Sequence, residues 1–332
     1  MDMDRLYKLT KAKTSRLKKF LMPLFLVLMI FTIVSNTCEK EDPYTYNPNL
    51  RLLSGDTLRW SDHSTCPVVS PNGEKVYFLS LPWDEWHGNY YYTGLEVGRL
   101  YEIRSDGTGK RKLIDDIFSA LAISPDGKKL AADLLSACTT YINPKYDTNA
   151  IVLIDIKTLL IDTLWVSHPN IVHIEFGKES ENILYFSSYD PHNPEKYKIV
   201  KLNLSDTTEQ VVGQGLGFDV FKDGRLYIDS KLYYLQIHPD SEDLAISIDD
   251  AHAHPPICEG GDIFWLLHIN SRKIDTLPES FVPYFGAIVC SPYWFPCGDK
   301  IVFSASEAWG GLSDGDPYEL WILENFFEQL EE

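Results

Sequence analysis

Aromatic, acidic and histidine side chains gather in polar segments that lie between apolar runs of the chain. Exposed Trp and Tyr rings can stack on sugar faces or anchor a protein interface, and neighbouring carboxylates accept hydrogen bonds. The same rings would also suit a small apolar layer over the core. We predict a ligand-binding face formed by Trp83, Asp84, Glu85, Trp86, His87, Tyr189, Asp190, His192, His252, His254, Glu307 and Trp309.

Two of these segments carry groups that bind metal ions. His252 and His254 are two residues apart, and Asp314 and Asp316 form an Asp-Gly-Asp unit that suits Ca²⁺. No Cys-x-x-Cys pair accompanies them, and the chain has no phosphate-binding Gly-rich loop and no His-Glu-x-x-His motif. We therefore expect a binding protein without a cofactor rather than an enzyme. A divalent metal ion held by these four side chains is the alternative.

A short pattern recurs along the chain: an apolar run, a Ser-Pro-x-Gly turn or a relative of it, and a second apolar run. Two copies are clear, at Ser70–Gly73 and Ser124–Gly127, and less regular copies follow Phe176, Ile237 and Cys290. Pro presets φ at the first corner of a turn and Gly accepts a positive φ. Each copy therefore predicts a β-hairpin.

Further apolar runs after each hairpin give a repeat of four predicted strands. Four-stranded units arrayed around an axis form a β-propeller, which leaves only short, protected sheet edges. We predict an all-β propeller of four-stranded antiparallel blades over residues 50–332. Five repeats are clear, and residues 217–235 form either half of a sixth blade or an inserted hairpin. Arg51–Trp60 is expected to supply the strand that closes the ring.

The segment Ile123–Asp133, with the run Leu100–Ile114, is similar to the repeat of TolB-like propellers, a WD40-like class. The resemblance covers roughly residues 66–325. It implies a propeller of six blades, with a degenerate one near residues 217–235, that binds a ligand or protein. Some propeller lyases that resemble this class hold a metal with His side chains, so a metal-assisted glycan-processing enzyme is the alternative. His87, His192, His252 and His254 would then have to converge.

In a four-stranded blade, the connections from the second to the third strand all leave from the same end. Here they are the long polar segments, running over 81–98, 134–149, 188–195, 249–261 and 305–317. Their lengths exceed those of ordinary hairpin loops. Because long loops on a rigid scaffold commonly carry binding residues, we expect function at this end of the propeller.

The N-terminus has the features of an export signal. Residues 1–19 are basic, and Phe20–Val34 is a stretch of fifteen residues without a charge, which is short for a spanning helix. We interpret residues 1–37 as a signal peptide.

Cys38 and the acidic residues after it resemble the lipobox and sorting signal of lipoproteins of the Bacteroidetes type. The resemblance implies lipidation of Cys38, a tether over 38–49 and an outer-membrane lipoprotein facing the periplasm or the cell surface. An uncleaved anchor and a plain signal peptide are the alternatives.

Charge and cysteine content limit the partners. The net charge is −18 although the first 19 residues are basic, and nucleic-acid binding needs a basic surface, so we exclude it. We expect an envelope protein or a glycan as ligand and contact with the membrane through the lipid anchor; the oligomeric state stays open.

Export permits disulfides, and the candidates are Cys66 with Cys290, or Cys290 with Cys297.

Overall fold

A computed structural model describes residues 47–53, 62–82, 84–85, 97–135, 149–168, 171–188, 197–215, 217–230, 232–248, 264–283, 288–306 and 318–330. All of them belong to one compact unit, residues 46–332. The predicted signal peptide, Cys38 and most of the tether lie outside the described residues. No helix within the described residues is long and apolar enough to cross a membrane.

Nearly all regular structure is antiparallel β-sheet, in five sheets. The first sheet has seven strands: β2 (Asp62–Val69), β3 (Lys75–Pro82), β4 (Gly98–Arg104), β5 (Arg111–Ile123), β6 (Lys129–Leu135), β7 (Asn149–Asp155) and β8 (Ile161–His168). The second has β9 (Ile171–Phe176), β10 (Ile183–Ser188), β11 (Lys198–Asn203) and β12 (Glu209–Gln214). A two-stranded sheet follows with β13 (Gly217–Val220) and β14 (Leu226–Asp229). The fourth sheet has β15 (Tyr233–Ile237), β16 (Leu244–Ile248), β17 (Phe264–His268) and β18 (Lys273–Thr276). The last has β19 (Ile288–Trp294), β20 (Lys300–Ser306), β21 (Glu319–Glu324) and β1 (Leu50–Leu52).

The seven-stranded sheet consists of two four-stranded groups that share β5. The first half of β5 pairs with β4, where Glu102 lies opposite Arg111. Its second half pairs with β6, where Ile123 lies opposite Leu130. Register shifts in both ladders separate the halves, so a single strand turns from one group into the next without a loop.

The first strands of the groups contact one another in a closed cycle. They follow in the order β2, second half of β5, β9, β13, β15 and β19, and β19 packs back against β2. Antiparallel four-stranded groups arranged around such a cycle define a β-propeller, as the repeats predict. Because β13 and β14 form a sheet of only two strands, the number of complete blades remains a prediction.

The N-terminal strand completes the last sheet. Leu50 and Leu52 of β1 pair with Leu323 and Trp321 of β21. The closing strand therefore comes from the beginning of the chain, as expected, but lies at the start of the predicted segment Arg51–Trp60. Leu53 continues this contact, because its N–H donates to the Leu320 carbonyl and its side chain is fully buried.

The Ser-Pro-x-Gly sequences form hairpin turns through the hydrogen bonds of the Ser side chain and the backbone conformation of the Gly. The Gly73 N–H donates to the Ser70 carbonyl, and Gly73 has φ +72°, which favours glycine. The Ser70 hydroxyl accepts the Lys75 N–H at 2.9 Å and donates to Asn72. Ser124 closes the second turn in the same way. Residues 70–74 and their equivalents thus lie at one end of the sheets, opposite the long connections.

The disulfides proposed from the sequence are not formed, because Cys66, Cys290 and Cys297 are all thiols. Cys290 is buried in the core of the last sheet, whereas Cys297 is exposed in the turn beyond the end of β19. Four residues of strand between Cys290 and Trp294 already span about 13 Å, beyond the limit of roughly 7 Å for a bridge. Cys66 instead directs its sulfur to the Ser119 carbonyl of β5.

Candidate functional site

The predicted loop residues lie mainly outside the described part of the chain. This holds for Trp83, Trp86, His87, Tyr189, Asp190, His192, His252, His254, Glu307, Trp309, Asp314 and Asp316. Asp84 is exposed, and Glu85 accepts two hydrogen bonds from the Arg99 guanidinium at 2.7 and 2.8 Å, which raises the pKa of Arg99. Glu85 thus fastens the first long loop to β4. The binding role of these residues remains a prediction.

A cavity lies at the opposite end of the sheets, among the hairpin turns. It has a volume of about 460 Å³ and is lined by the last residues of the inner strands and by the turns that follow them. A smaller cavity of about 30 Å³ shares Glu175, Gln236 and Tyr293 with it and extends to His173. We call the larger space the hairpin cavity. Its size suits a small ligand or a side chain of a larger one.

Strand register defines six equivalent positions in the cycle of inner strands, and three of them line this cavity. Each is the next-to-last residue of its inner strand, paired one step before the hairpin, and we call them the ring positions. They are Val68, Ala122, Glu175, Asp219, Gln236 and Tyr293. Two neighbouring positions are apolar and the other four are polar. Polar groups therefore gather on one side of the cycle of strands.

Asp219 is held in place by its own surroundings. Its side chain is completely buried, and one oxygen accepts the Ile237 N–H at 2.5 Å while the other accepts the Val220 N–H at 2.6 Å. The Lys178 ammonium donates to both oxygens, at 3.0 and 3.3 Å. Lys178 stands in the turn position that Pro71 and Pro125 occupy in the regular repeats. The irregular repeat thus supplies a cation that compensates a buried carboxylate.

Glu175 has a different environment. It is only 3% exposed, lines both cavities, and makes no hydrogen bond or ion pair among the described residues. Burial, and then the negative charge of Asp219, raise the pKa of Glu175 to about 8, while Lys178 opposes the change. At neutral pH, Glu175 is therefore a protonated acid that faces the hairpin cavity.

Two further ring positions present polar atoms without a hydrogen-bonding partner in the described part of the chain. Gln236 is 5% exposed and Tyr293 lies beside it in the wall of both cavities. Burial, and then the charges of Glu175 and Asp219, raise the pKa of Tyr293 well above its usual value. The Tyr293 hydroxyl is thus a neutral hydrogen-bonding group at any physiological pH.

Backbone bulges precede some of these positions. Register shifts fall just before Gln236 and Tyr293, and the bulge residues Tyr234 and Ser291 have φ of +46° and +48°. Such values are uncommon for residues other than glycine, and bulges often re-aim side chains next to functional sites. The third case, Cys66 at φ +49°, precedes the apolar Val68.

His173 lies deeper, beside the smaller cavity. Its ring packs edge-on against Phe218 with centroids 4.8 Å apart, and its Nε2 is buried without a hydrogen-bonding partner in the described residues. Burial lowers the pKa of His173 to about 4, so the imidazole is neutral. Within the described residues, no three His, Cys, Asp or Glu side chains are placed to hold a metal ion.

No family model and no curated protein matches the chain. Solved structures similar to it are β-propellers. One is TolB from Acinetobacter baumannii, with 14% identity, a TM-score of 0.39, and coverage of 77% of this chain and 51% of that chain. Another is an oligogalacturonate lyase in complex with manganese, with 10% identity, a TM-score of 0.42, and coverage of 79% of this chain and 77% of that chain.

A third is the β-propeller domain of the Trilobed protease from Pyrococcus furiosus. It has 14% identity and a TM-score of 0.39, with coverage of 76% of this chain and 80% of that chain. The present chain aligns with about half the length of the TolB structure. These similarities show the fold alone, and the chemistry of the hairpin cavity depends on the residues of this chain.

Sequence reasoning missed this cavity, because it directed attention to the long loops. The signal was present in the repeats themselves. Glu175 and Lys178 occur in the irregular copy at Phe176, and Asp219 and Lys222 occur in the degenerate unit near residues 217–235. At those places polar residues replace the apolar and Pro residues of the regular copies, and a comparison position by position would have found them.

Proposed function

We propose that this chain is a lipid-anchored β-propeller of the cell envelope that binds a ligand or a protein partner in the hairpin cavity. The proposal rests on the difference between the ring positions, of which two are apolar and four are polar. Glu175, Gln236 and Tyr293 direct polar groups into a cavity without using them for the fold. Glu175 and Gln236 are buried, and Tyr293 is partly buried beside them. Because buried polar groups in folded proteins nearly always have partners, these groups on one cavity wall support a ligand site.

The walls of the cavity support binding of this kind. Phe176, Phe221, Ile237 and Trp294 line it together with several Pro residues. Ligand sites are commonly mostly apolar with a few placed polar groups that fix orientation. Binding in this cavity leaves the long loops, which the sequence predicts as the ligand-binding face, available for a further contact.

Catalysis has less support than binding. The alternative of a metal-assisted glycan-processing enzyme depends on histidines outside the described residues. A Gly-x-Ser-x-Gly sequence, Gly311–Gly315, also lies outside them, in the connection between β20 and β21. In hydrolases that motif joins a strand to a helix, whereas both neighbours here are antiparallel strands.

The ligand site is tested by thermal unfolding of the wild-type protein and two variants against a panel of short peptides and small saccharides. We expect compounds that raise the Tm of the wild type to lose that effect in Gln236→Leu. The matched control is Gln210→Leu on the exposed strand β12, which should respond like the wild type. Stabilisation that survives Gln236→Leu would place the ligand elsewhere.

The anchor is tested separately, because it rests on the sequence. We propose that Cys38 is acylated and that the mature protein is attached to the outer membrane, at its periplasmic or surface side. A palmitate analogue supplied to cells should label the wild type and Cys297→Ala, but not Cys38→Ala. Labelling of Cys38→Ala would contradict the anchor without affecting the cavity.

A further inference from the structure

The acceptor groups in the hairpin cavity match one kind of donor. Glu175, Gln236 and Tyr293 line the same wall, and together they offer a carboxyl, an amide oxygen and a phenolic oxygen. An ammonium group has three N–H donors and no acceptor. A ligand ammonium can therefore satisfy one acceptor from each of the three side chains.

The charges in the site also favour a cation. Two carboxyl groups, Glu175 and Asp219, lie near one internal cation, Lys178. The Lys178 ammonium contacts Asp219 and not Glu175, and Asp219 has backbone donors in addition. Asp219 is thus compensated by direct contacts, whereas Glu175 feels the charge of Lys178 without contacting it. A second cation in contact with Glu175 would stabilise its ionised form.

The side chains that line the cavity indicate which kind of molecule carries that cation. The residues that line the cavity with Glu175 include the apolar Phe176, Val220 and Phe221, and also the charged Lys222, Asp240 and Glu242. Burial of methylene groups against the apolar part of this wall is favourable, whereas sugar hydroxyls placed there would lose hydrogen bonds. A divalent metal ion is disfavoured because the described residues offer no group of three suitable ligands.

We propose that the hairpin cavity binds a primary ammonium group on an alkyl chain, as in a lysine side chain, with Glu175, Gln236 and Tyr293 as its acceptors. This inference rests on the proposed function, because it names the ligand class of the same cavity. Below its pKa, Glu175 loses its proton to solvent when the ammonium enters, so up to one proton is released for each ligand bound. The release falls towards zero at higher pH, where Glu175 is already ionised.

Binding then depends on pH in a defined direction. The groups that face Glu175 are Lys178 from the turn after β9, Asp219 from β13 and Tyr293 from β19, while β15 contributes the uncharged Gln236. His173 lies nearby and is neutral above pH about 4. Glu175 has a pKa of about 8 without ligand. Affinity should therefore rise about tenfold per pH unit from pH 6 towards 8 and level off above it.

The test is calorimetric titration of the full chain with Nα-acetyl-lysine amide and its uncharged isostere Nα-acetyl-norleucine amide, at pH 6.5 and 8.5. Glucosamine and glucose serve as a second pair. Buffers with different ionisation enthalpies report the number of protons released. The variants are Glu175→Gln and, as matched control, Glu179→Gln, an exposed glutamate four residues further along. Thermal unfolding of each variant shows that it is folded.

We expect the lysine amide to bind the wild type and Glu179→Gln with proton release, and at least tenfold more weakly at pH 6.5. Glu175→Gln should lose tenfold or more in affinity and all of the pH dependence. The inference is overturned if the lysine amide does not bind, if Glu175→Gln binds it normally, or if glucosamine binds more tightly. A neutral ligand that depends on Gln236 would preserve the proposed function while refuting the ammonium assignment.

Discussion

The Lys178 ammonium joins β9 to β13 by donating to both carboxylate oxygens of Asp219, at 3.0 and 3.3 Å. Asp219 is completely buried, so this contact compensates a charge that water cannot reach. Two inner strands of different sheets are thereby tied together beside the hairpin cavity. The ion pair between Lys178 and Asp219 therefore both stabilises the propeller and borders its candidate site.

Replacing Lys178 should destabilise the fold strongly. Lys178→Met leaves Asp219 as a buried charge without a cation, and we expect a loss of about 3 kcal/mol in the free energy of unfolding. Lys222 occupies the equivalent turn and contacts Asp240 at 3.3 Å, but both side chains are more than 60% exposed. Lys222→Met should therefore cost less than about 1 kcal/mol. Urea unfolding measures both, and equal losses would show that the buried pair contributes nothing special.

Stability should depend on the ionisation of Glu175. Its pKa is about 8 in the folded protein, above the ordinary value of 4.5, so the folded state retains a proton that the unfolded state releases. This contribution is fully present below pH 4.5 and is lost as the pH rises to 8. We expect the Tm of Glu175→Gln, relative to the wild type, to rise between pH 5 and 8. Glu179→Gln should show no such trend, and a flat difference for Glu175→Gln would mean that the carboxyl is ionised.

The regular hairpin turns should differ in their tolerance of a side chain. Gly127 and Gly73 have φ of +70° and +72°, so alanine is strained at both by about 1 kcal/mol. A Cβ at Gly127 would lie 2.9 Å from the Pro71 ring, whereas at Gly73 the nearest atom is 3.7 Å away, on Pro296. Gly127→Ala should therefore lose at least about 1 kcal/mol more than Gly73→Ala in chemical unfolding. Equal effects would indicate that the Pro71 turn moves freely.

The closing strand should be essential to stability. Leu53 is fully buried among residues of the first and last sheets, including Phe78 and Ile322. Leu53→Ala should lower the free energy of unfolding by about 3 kcal/mol through the cavity it leaves. Leu160, which is 71% exposed, provides the control, and Leu160→Ala should change stability by no more than about 0.5 kcal/mol. A small effect at Leu53 would argue that β1 adds little to the closure.

The fold was predictable because local chemistry and repetition agree. Ser70–Gly73 and Ser124–Gly127 specify hairpins through φ preferences and a serine hydroxyl, and similar apolar runs return after each of them. The long connections also fall between second and third strands, as expected. Repetition could not determine the number of complete blades, since the segment with Gly217–Val220 and Leu226–Asp229 forms only two strands.

The candidate site was less predictable for a physical reason. An isolated Glu175 between apolar residues looks like a solvent-facing position of a strand, and only the packing of neighbouring strands makes it buried. The bulges before Gln236 and Tyr293 shift the side-chain alternation, which a simple two-residue period does not reveal. The sequence did contain a signal for the site, because Glu175, Lys178 and Asp219 stand where the repeat is irregular.

The undivided strand β5 has a consequence for how the protein opens. Arg111–Ile123 belongs to two neighbouring groups of strands, so neither can detach while the other keeps its ladder. These groups should form a single foldon, in which amide hydrogens of β4 and β6 exchange at similar rates. The other groups, by contrast, belong to separate sheets, so each can lose its ladder without breaking a strand of its neighbour.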